Sequence, residues 1–514
     1  MKFTQFLLLV SILAFTKLIA KPNIIVIYAD DVGYGDIGCY GATAIDTPNL
    51  DRLANEGIRF TSAYATASTC TPSRFSLLTG LYPFRNRDAV ILPGNAPLII
   101  DINKPNLPNT LRDNGYATAL VGKWHIGLGV STEPLDWNGE ISPGPREVGF
   151  DYSFHMAATG DRVPSVYIEN GRIVNLDAND PITVSYQEQV GDDPTGISHP
   201  HLLKVQADEQ HAKTIVDGVS RIGTMSGGHA ARWKDEEMSD TFLQKALDYI
   251  ETQKNKPFFL YYATQENHVP RIPHPRFVGS TSLGVRGDAV AQMDWNIGKI
   301  IDHLDNLGIL ENTLIIFSSD NGPVLFDGYW DGAIERNGNH RAAGPFAGGK
   351  YSVNEGGTRM PFIVYWKGKI LPEISDALIS QVDLFASLTK IAGIDANLEG
   401  TDGEDLSRLL LGESNKGRDY LVQQGVGNKA LRMGDWKYIP EGVITNRGRI
   451  GKFVREEVTT PGQLFFLPED PMEQNDLAAS YPEKVKEMKT LLLAELGETA
   501  SLSSGTELGG AVDE

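Results

Sequence analysis

A continuous apolar run near the start of the chain constrains the fold more than any other feature. The run Asn23–Ala29 is rich in β-branched residues and shows no alternation of polar and apolar positions. It is typical of a strand buried on both faces, as in a parallel sheet that has helices on each side. Separated by helical patterns, similar runs recur at 117–121, 257–262, 313–319 and 361–366. The sequence therefore predicts an α/β fold over residues 21–412, with a large, mostly parallel sheet sandwiched by helices.

The pattern changes beyond residue 412. Four short apolar segments then precede a single helical segment, Pro482–Leu496. The four are Tyr420–Val422, Ala430–Arg432, Trp436–Ile439 and Gln463–Phe466. They predict a small C-terminal α+β subdomain, residues 413–500, built on an antiparallel sheet. Residues 501–514 are rich in glycine, serine and acidic residues, which predicts a disordered tail.

Residues 1–20 have the pattern of a signal peptide. Lys2 supplies the positive start, Phe6–Phe15 the apolar stretch, and Leu18-Ile19-Ala20 a cleavage site. The apolar stretch is too short to span a membrane, and no later segment reaches that length. We therefore expect an exported protein, periplasmic or secreted, that has no membrane span.

The composition argues against one class of partner. The formal net charge is −20, and so acidic a protein is a poor candidate for binding nucleic acid broadly. If the substrate is itself an anion, the basic side chains that bind it must be concentrated in the site.

Polar side chains follow several of the predicted strands at the point where each strand ends. They are Asp30 and Asp31, Lys123 and His125, His268, and Asp320 and Asn321. Because ligand sites in open α/β sheets form beyond the carboxyl ends of the strands, we expect these side chains to meet at one edge. Three carboxylates and an amide are hard oxygen ligands, which suit Ca²⁺ or Mg²⁺ better than Zn²⁺. If the chain stays extended beyond residue 121, Lys123 and His125 project to the same side.

A second constellation lies in the stretch Cys70-Thr71-Pro72-Ser73-Arg74, which is followed after four residues by Thr79-Gly80. Pro72 suits the first turn of a helix, where its missing N–H is not needed. Cys70 would then lie at the helix N-terminus, where free N–H groups favour an anion. Arg74, one turn further on, can reach the same place.

This C-x-P-S-R-x₄-T-G string resembles the sulfatase signature, in which the cysteine is oxidised to formylglycine. With the acidic pairs, it makes the chain similar to formylglycine-dependent sulfatases of the arylsulfatase-like family, which have the alkaline phosphatase-like fold. The resemblance implies a formylglycine at residue 70, made by a formylglycine-generating enzyme. It also implies one Ca²⁺, held by Asp30, Asp31, Asp320, Asn321 and modified Cys70.

The resemblance also implies a role for each remaining polar residue. Arg74 supports the formylglycine, and Lys123 and Lys350 hold the sulfate oxygens. His125 orients and deprotonates the aldehyde hydrate, while His268 faces the leaving oxygen. The expected activity is hydrolysis of sulfate monoesters. We expect the substrate to be a sulfated polysaccharide or oligosaccharide, either algal, of the ulvan or carrageenan type, or an animal glycosaminoglycan.

Other interpretations of these motifs are open. A phosphodiesterase or phosphonate hydrolase of the same superfamily would use the same nucleophile, and a two-zinc phosphatase would need a second metal. A non-catalytic protein could bind sulfated glycans through Lys123, Lys350 and Arg74 if Cys70 stayed unmodified. Cys39, the other cysteine of the chain, could instead form a disulfide with Cys70.

Residues 131–235 show less regular patterns and predict a long set of loops or an insertion over the sheet, a kind of segment that often carries selectivity. We interpret the basic side chains there as ordinary surface or core residues; they are Arg162, His199, His201 and His229. Two aromatic residues near the expected site, Trp124 and Tyr167, could stack on a sugar, although packing explains them equally well.

Overall fold

The computed structural model describes residues 21–444 and 458–497. The predicted signal peptide, residues 1–20, and the predicted tail, residues 501–514, lie outside the described residues. The strands are β1 Asn23–Ala29, β2 Ile58–Tyr64, β3 Ala117–Lys123, β4 Tyr152–Met156, β5 Ile168–Glu169, β6 Arg172–Ile173, β7 Thr183–Ser185, β8 Ile215–Val216, β9 Val219–Ser220, β10 Thr224–Ser226, β11 Phe258–Ala263, β12 Thr313–Ser319, β13 Arg359–Tyr365, β14 Glu373–Ser375, β15 Ile379–Ser380, β16 Tyr420–Gln424, β17 Lys429–Met433, β18 Trp436–Ile439, β19 Gly442–Ile444, β20 Val458–Thr460 and β21 Gln463–Phe466.

Helices connect most of the strands of the main sheet. They are α1 Pro48–Glu56, α2 Cys70–Thr79, α3 Leu107–Asp113, α4 Pro145–Val148, α5 Met238–Gln253, α6 Val285–Asn306, α7 Ala333–Arg336, α8 Glu355–Thr358, α9 Leu384–Ile391, α10 Ser407–Leu410 and α11 Pro482–Leu496.

The main sheet has the strand order β14-β2-β13-β12-β1-β11-β3-β4-β5-β6, and β15 also pairs with β2. Its centre, β12-β1-β11-β3-β4, is parallel throughout. β13 runs antiparallel to both of its neighbours, and β5 and β6 form an antiparallel edge. The predicted α/β fold, with a large and mostly parallel sheet, is confirmed, and the antiparallel strands make the sheet mixed.

Both faces of the sheet are covered, which explains why β1 is apolar without alternation. Ile24, Val26 and Tyr28 belong to a core that includes side chains of α2, α3 and α9. Ile25 and Ile27 point to the opposite core, which includes side chains of α1, α5 and α6. Every residue of β1 is buried. The strand is therefore held by hydrophobic burial on two sides.

The predicted C-terminal antiparallel sheet is also confirmed. It has the order β16-β17-β18-β21, with every pair antiparallel. Met488 and Leu492 of α11 pack against Leu431 and Tyr438 of this sheet. The boundary at residues 412 and 413 stays a prediction.

The region 131–235 is more ordered than the predicted loops. It contains α4 and the short strands β4–β10, and β4, β5 and β6 extend one edge of the main sheet. The sequence did not predict these strands because β5–β10 are two or three residues long, too short to show a periodic pattern. Among the described residues, no helix combines the length and apolar character that a membrane crossing requires.

Candidate active site

Sheet topology brings the predicted site residues to one edge. β12, β1, β11 and β3 are adjacent and parallel, so the segments that follow them emerge side by side. β13 runs the opposite way, so the segment that precedes it, with Lys350, lies at the same edge. β2 runs parallel to β12, because both are antiparallel to β13, and it leads to Cys70. Residues from six segments that are distant in the sequence therefore converge at one edge of the sheet.

Cys70 is the first residue of α2 and is buried, with 2% of its surface exposed. Its Sγ lies 3.7 Å from Oδ1 of Asp30. The hydroxyl of Thr71 donates to the carbonyl of His125 at 2.9 Å, which ties the start of α2 to the segment after β3. Burial raises the pKa of the Cys70 thiol. Cys39 and Cys70 are both free thiols, so the alternative disulfide between them is not formed.

Arg74 is fully buried beneath the site. Its Nε and Nη2 donate to Oδ2 of Asp320 at 3.0 and 2.7 Å. Its guanidinium carbon lies 5.4 Å from the centre of the Tyr28 ring, a cation–π distance. Burial alone would raise the pKa of Asp320, but Arg74 and Lys123 outweigh it and hold that pKa below its ordinary value. Asp320 is therefore ionised, and it fixes the guanidinium in one orientation.

Two lysines flank the adjacent acids that follow β1. Lys123 Nζ donates to Oδ2 of Asp30 at 2.7 Å, and Lys350 Nζ donates to Oδ2 of Asp31 at 2.8 Å. Lys350 also donates to Asp327 at 3.1 Å. Burial nevertheless raises the pKa of Asp30 to about 7, against the opposing effect of Lys123. Burial likewise raises the pKa of Asp31. The two carboxylates are thus incompletely neutralised by the cations of the chain itself.

The same cluster fits a divalent cation. Potential ligand atoms of Asp30, Asp31, Cys70 and His268 all lie within 4.8 Å of one another. Asn321 donates through Nδ2 to Oδ1 of Asp31 at 2.7 Å. Its buried Oδ1 has no hydrogen-bond partner in the described part of the chain, so a lone pair is left for a ligand. A donor set dominated by oxygen suits Ca²⁺ or Mg²⁺.

His125 presents one ring nitrogen as a proton acceptor. Its Nε2 lies 2.9 Å from the carbonyl oxygen of Leu92, which can only accept, so Nε2 carries the proton. Its Nδ1 is buried and has no hydrogen-bond partner among the described residues. Burial, followed by the charge of Lys123, holds the pKa of His125 well below its usual range. The ring is therefore neutral, with a lone pair on Nδ1.

His268 has the opposite tautomer. Its Nδ1 donates to the carbonyl of Val269 at 2.7 Å, which leaves Nε2 facing the acidic cluster, 3.9 Å from Oδ2 of Asp31. Burial and the neighbouring Lys350 hold the pKa of His268 well below its usual range. The family resemblance implies that His268 faces the leaving oxygen, and the geometry also puts one of its ring nitrogens among the atoms that could hold a cation.

Two residues of the site have backbone conformations that L-amino acids rarely adopt. Asp31 has φ of 58° and His125 has φ of 55°. Such conformations cost on the order of 1–3 kcal/mol each and persist where the surrounding structure enforces them. The condition on which the sequence aligned Lys123 with His125, an extended chain beyond residue 121, is not met. β3 ends at Lys123, and His125 has a left-handed backbone. The side chains of Lys123 and His125 still lie at the same edge of the sheet.

The remaining aromatic and histidine residues that the sequence singled out lie elsewhere. Trp124 is fully buried and donates to the carbonyl of Gly127, and Tyr167 packs against Phe154. Packing accounts for both of these aromatic residues. His199, His201 and His229 are exposed, as expected of ordinary surface residues.

Sequence reasoning did not find two groups of polar contacts. Tyr351 donates to Oδ2 of Asp327 at 2.8 Å, next to Lys350. Asp161 pairs with Arg162, which the sequence names only as an ordinary surface or core residue, and with His211. These residues belong to irregular segments, so no periodic pattern marks the contacts.

Known proteins are similar to this chain over almost its whole length. Residues 22–394 match the family model Sulfatase. An N-acetylgalactosamine-6-O-sulfatase of Bacteroides thetaiotaomicron is 48% identical over 476 residues, covering 92% of this chain and 92% of that protein. Arylsulfatase A of Homo sapiens is 30% identical over an alignment of 519 residues, covering 97% of this chain and 92% of that protein. A solved structure from work on glycosaminoglycan metabolism by Bacteroides thetaiotaomicron has a TM-score of 0.89 at 48% identity, covering 93% of this chain and 99% of that one.

The fold and these matches define an α/β hydrolytic enzyme of the alkaline phosphatase-like kind, with a small C-terminal antiparallel sheet. The chain belongs to the sulfatase family. It is a sulfuric ester hydrolase, so the interpretation as a non-catalytic binding protein does not hold.

Proposed function

We propose that this sulfatase removes the 6-O-sulfate group from N-acetylgalactosamine residues of glycosaminoglycan fragments, using a formylglycine at residue 70 and one Ca²⁺. The observation that carries the substrate is the 48% identity, over 92% of both chains, to an N-acetylgalactosamine-6-O-sulfatase. An animal glycosaminoglycan is thereby favoured over the algal polysaccharides that the sequence left open.

The site would contain a bound cation and a modified residue 70. Asp30, Asp31, Asp320, Asn321 and modified Cys70 would hold the cation, whose charge would polarise the sulfate oxygens when it is bound. Formylglycine at residue 70 would supply a hydrated aldehyde, with one hydroxyl to displace the sugar oxygen from sulfur and a second to allow the release of sulfate.

The basic residues of the chain would bind the sulfate group. Lys123, at the end of β3, and Lys350, in the segment before β13, approach the acidic cluster from different sides. Arg74 of α2 lies beneath the cluster. Each is already held by a carboxylate, with N···O distances of 2.7, 2.8 and 2.7 Å to Asp30, Asp31 and Asp320. Charges fixed before the substrate arrives need no reorganisation during the reaction, which makes their stabilisation of the transition state effective.

The two histidines would move protons. Nδ1 of His125, neutral and without a partner among the described residues, would accept the proton of the attacking hydroxyl. Nε2 of His268 would donate a proton to the leaving sugar oxygen. Because its pKa is lowered by burial and Lys350, His268 must gain that proton together with the anionic substrate. A positioned acid of this kind contributes on the order of 10²–10⁴ in rate.

The proposed substrate is tested by measuring sulfate release with ion chromatography. The substrates are N-acetylgalactosamine 6-sulfate, N-acetylgalactosamine 4-sulfate, N-acetylglucosamine 6-sulfate and a carrageenan oligosaccharide. We expect kcat/KM on the first to exceed the others by at least ~100-fold, because a misplaced polar group leaves buried partners unpaired. Cys70→Ala is the blank for contaminating sulfatases. Equal or faster release from the 4-sulfate or from the carrageenan oligosaccharide would contradict the proposed substrate.

A further inference from the structure

The segment 157–163 connects the two histidines of the site and continues past them. The N–H of His125 donates to the carbonyl of Ala157 at 3.2 Å. Gly160 faces Pro270 and the carbonyl oxygen of Val269. That oxygen accepts the hydrogen bond from Nδ1 of His268. This segment therefore lies next to His268, the residue proposed to face the leaving sugar oxygen.

Arg162 belongs to this segment, and within the described part of the chain one side of its guanidinium is hydrogen-bonded while the other is not. Nη1 donates to both carboxylate oxygens of Asp161, at 2.7 and 2.9 Å, and to the hydroxyl of Thr159 at 3.0 Å. Among the described residues, the side-chain hydrogen bonds of Arg162 all leave from Nη1. About one seventh of the side chain, 15%, is exposed, so Nε and Nη2 remain for a ligand.

The guanidinium is fixed by a row of charges of alternating sign. Nε2 of His211 lies 3.7 Å from Oδ2 of Asp161, and its Nδ1 lies 2.6 Å from Oδ1 of Asp208. The ring of His211 packs edge-on against Tyr329, with centroids 5.0 Å apart. The N–H of Asp208 donates to the carbonyl of Gly328 at 2.8 Å. The row is thereby joined to the loop that carries Asp327, the partner of Lys350.

That loop also carries an exposed aromatic pair. Trp330 is 56% exposed, and its ring lies 5.3 Å from the ring of Phe326. A sugar offers oxygen acceptors, which suit a fixed guanidinium with free donors, and an apolar ring face, which suits an exposed aromatic ring. In the proposed function, Lys123, Lys350 and Arg74 bind the sulfate group, so Arg162 is left to bind another part of the substrate.

We propose that Arg162 is a specificity-determining residue, whose Nε and Nη2 donate to a sugar oxygen beside the sulfate ester. This assignment rests on the proposed function. It differs from the interpretation that the sequence favoured, which was an ordinary surface or core arginine. The acceptor is either the ring hydroxyl nearest the ester or the acetamide oxygen.

The test measures binding by isothermal titration calorimetry in Cys70→Ala protein saturated with calcium. The probes are N-acetylgalactosamine 6-sulfate and inorganic sulfate. Arg162→Lys keeps the ion pair with Asp161 but loses the planar fork of donors, so the fold is retained. We expect Kd for the sugar sulfate to rise ~10-fold, the effect of one charge-assisted hydrogen bond, while Kd for inorganic sulfate changes less than ~2-fold.

Arg172→Lys is the matched control, because Arg172 is an exposed arginine paired with Glu140 and should change neither affinity. Two further probes then identify the acceptor. Galactose 6-sulfate lacks the acetamide, and N-acetylglucosamine 6-sulfate has its 4-hydroxyl equatorial instead of axial. The Arg162→Lys effect should disappear with galactose 6-sulfate if the acetamide oxygen is the acceptor, and with N-acetylglucosamine 6-sulfate if the hydroxyl is. Equal weakening of both probes, or of neither, would overturn the assignment of Arg162. If the Cys70→Ala parent binds inorganic sulfate but no N-acetylgalactosamine 6-sulfate, the proposed substrate is wrong, and the role of Arg162 falls with it.

Discussion

Each charged side chain of the site has a partner that fixes it before the substrate arrives. The adjacent acids Asp30 and Asp31 illustrate this, since one is bonded to Lys123 and the other to Lys350. Because burial still raises the pKa of both carboxyls, further positive charge in the cluster would stabilise their ionised forms. A cation and an anion therefore suit the same cluster, the cation beside the acids and the anion beside the lysines.

Asp31→Asn should abolish stoichiometric calcium binding. The substitution removes a charged ligand from a hard-cation site, and such sites depend on the number of carboxylates. We expect metal analysis after dialysis to fall from about one calcium per chain to below ~0.2, with sulfatase activity lost in parallel. Asp180→Asn, at an exposed aspartate paired with His229, is the control. Full calcium content in the Asp31 variant would show that the ion lies elsewhere.

His125→Asn should lower kcat by ~100-fold or more, because it removes the proton acceptor at Nδ1. Asparagine tolerates the left-handed backbone that His125 adopts, so the fold should survive. Steady-state kinetics at saturating substrate measure the loss, and thermal unfolding checks the fold. A variant that turns over at a near-normal rate would exclude His125 as the base.

At the scale of the elements, close packing between parallel strands holds the lysine of the site in place. Gly122, one residue before Lys123, has φ of 114°, and a Cβ there would meet the carbonyl oxygen of Ala263 in β11. The strand pairing of β3 with β11 therefore requires glycine at this position.

Gly122→Ala should destabilise the protein by more than ~2 kcal/mol, through both the backbone conformation and the steric conflict. Gly41→Ala is a matched control, because Gly41 has φ of 108° but no atom within 4 Å of its added Cβ. It should show only the conformational effect, ~1 kcal/mol. Denaturant unfolding measures both. Equal losses in the two variants would mean that the contact with β11 adds nothing.

At the scale of the whole molecule, a buried carboxylate joins the C-terminal sheet to the main sheet. Glu355, at the start of α8, accepts from Lys437 at 3.1 Å and from Arg432 at 3.1 Å. It also pairs with Arg359 of β13 at 3.2 Å. Burial would raise the pKa of Glu355, but Lys437 and Arg432 outweigh it and hold that pKa well below the ordinary value.

Glu355→Gln should therefore lower the free energy of unfolding by ~3–5 kcal/mol at neutral pH, since the buried Arg432 and Arg359 lose their counter-charge while Lys437 keeps Glu473 at 2.9 Å. A lowered pKa gives stability that is complete above the ordinary value of 4.5 and is lost as the pH falls further. The gap between wild type and variant should shrink below that pH. Glu413→Gln, at an exposed ion pair, should behave as wild type. A gap that stays constant with pH would contradict this electrostatic role.

The sequence predicts the parts of the fold that have a periodic or continuous pattern. Four strands are buried on both faces and therefore appear in the sequence as apolar runs: β1, β3, β11 and β12. Because these strands are parallel, the polar residues that follow them could be predicted to meet at one edge of the sheet. β2 was missed because its outward positions are polar, and the direction of β13 was not predicted because a strand pattern does not encode pairing direction. Arg162 was undervalued because its role depends on contacts between irregular segments.

Peptide mass spectrometry of the tryptic peptide that contains residue 70, with carbonyl trapping, tests the central claim most directly. The protein should come from a host that has the modifying enzyme. An aldehyde at residue 70 is the result we predict, and it would establish the catalytic nucleophile. An intact thiol in an active preparation would contradict the formylglycine mechanism.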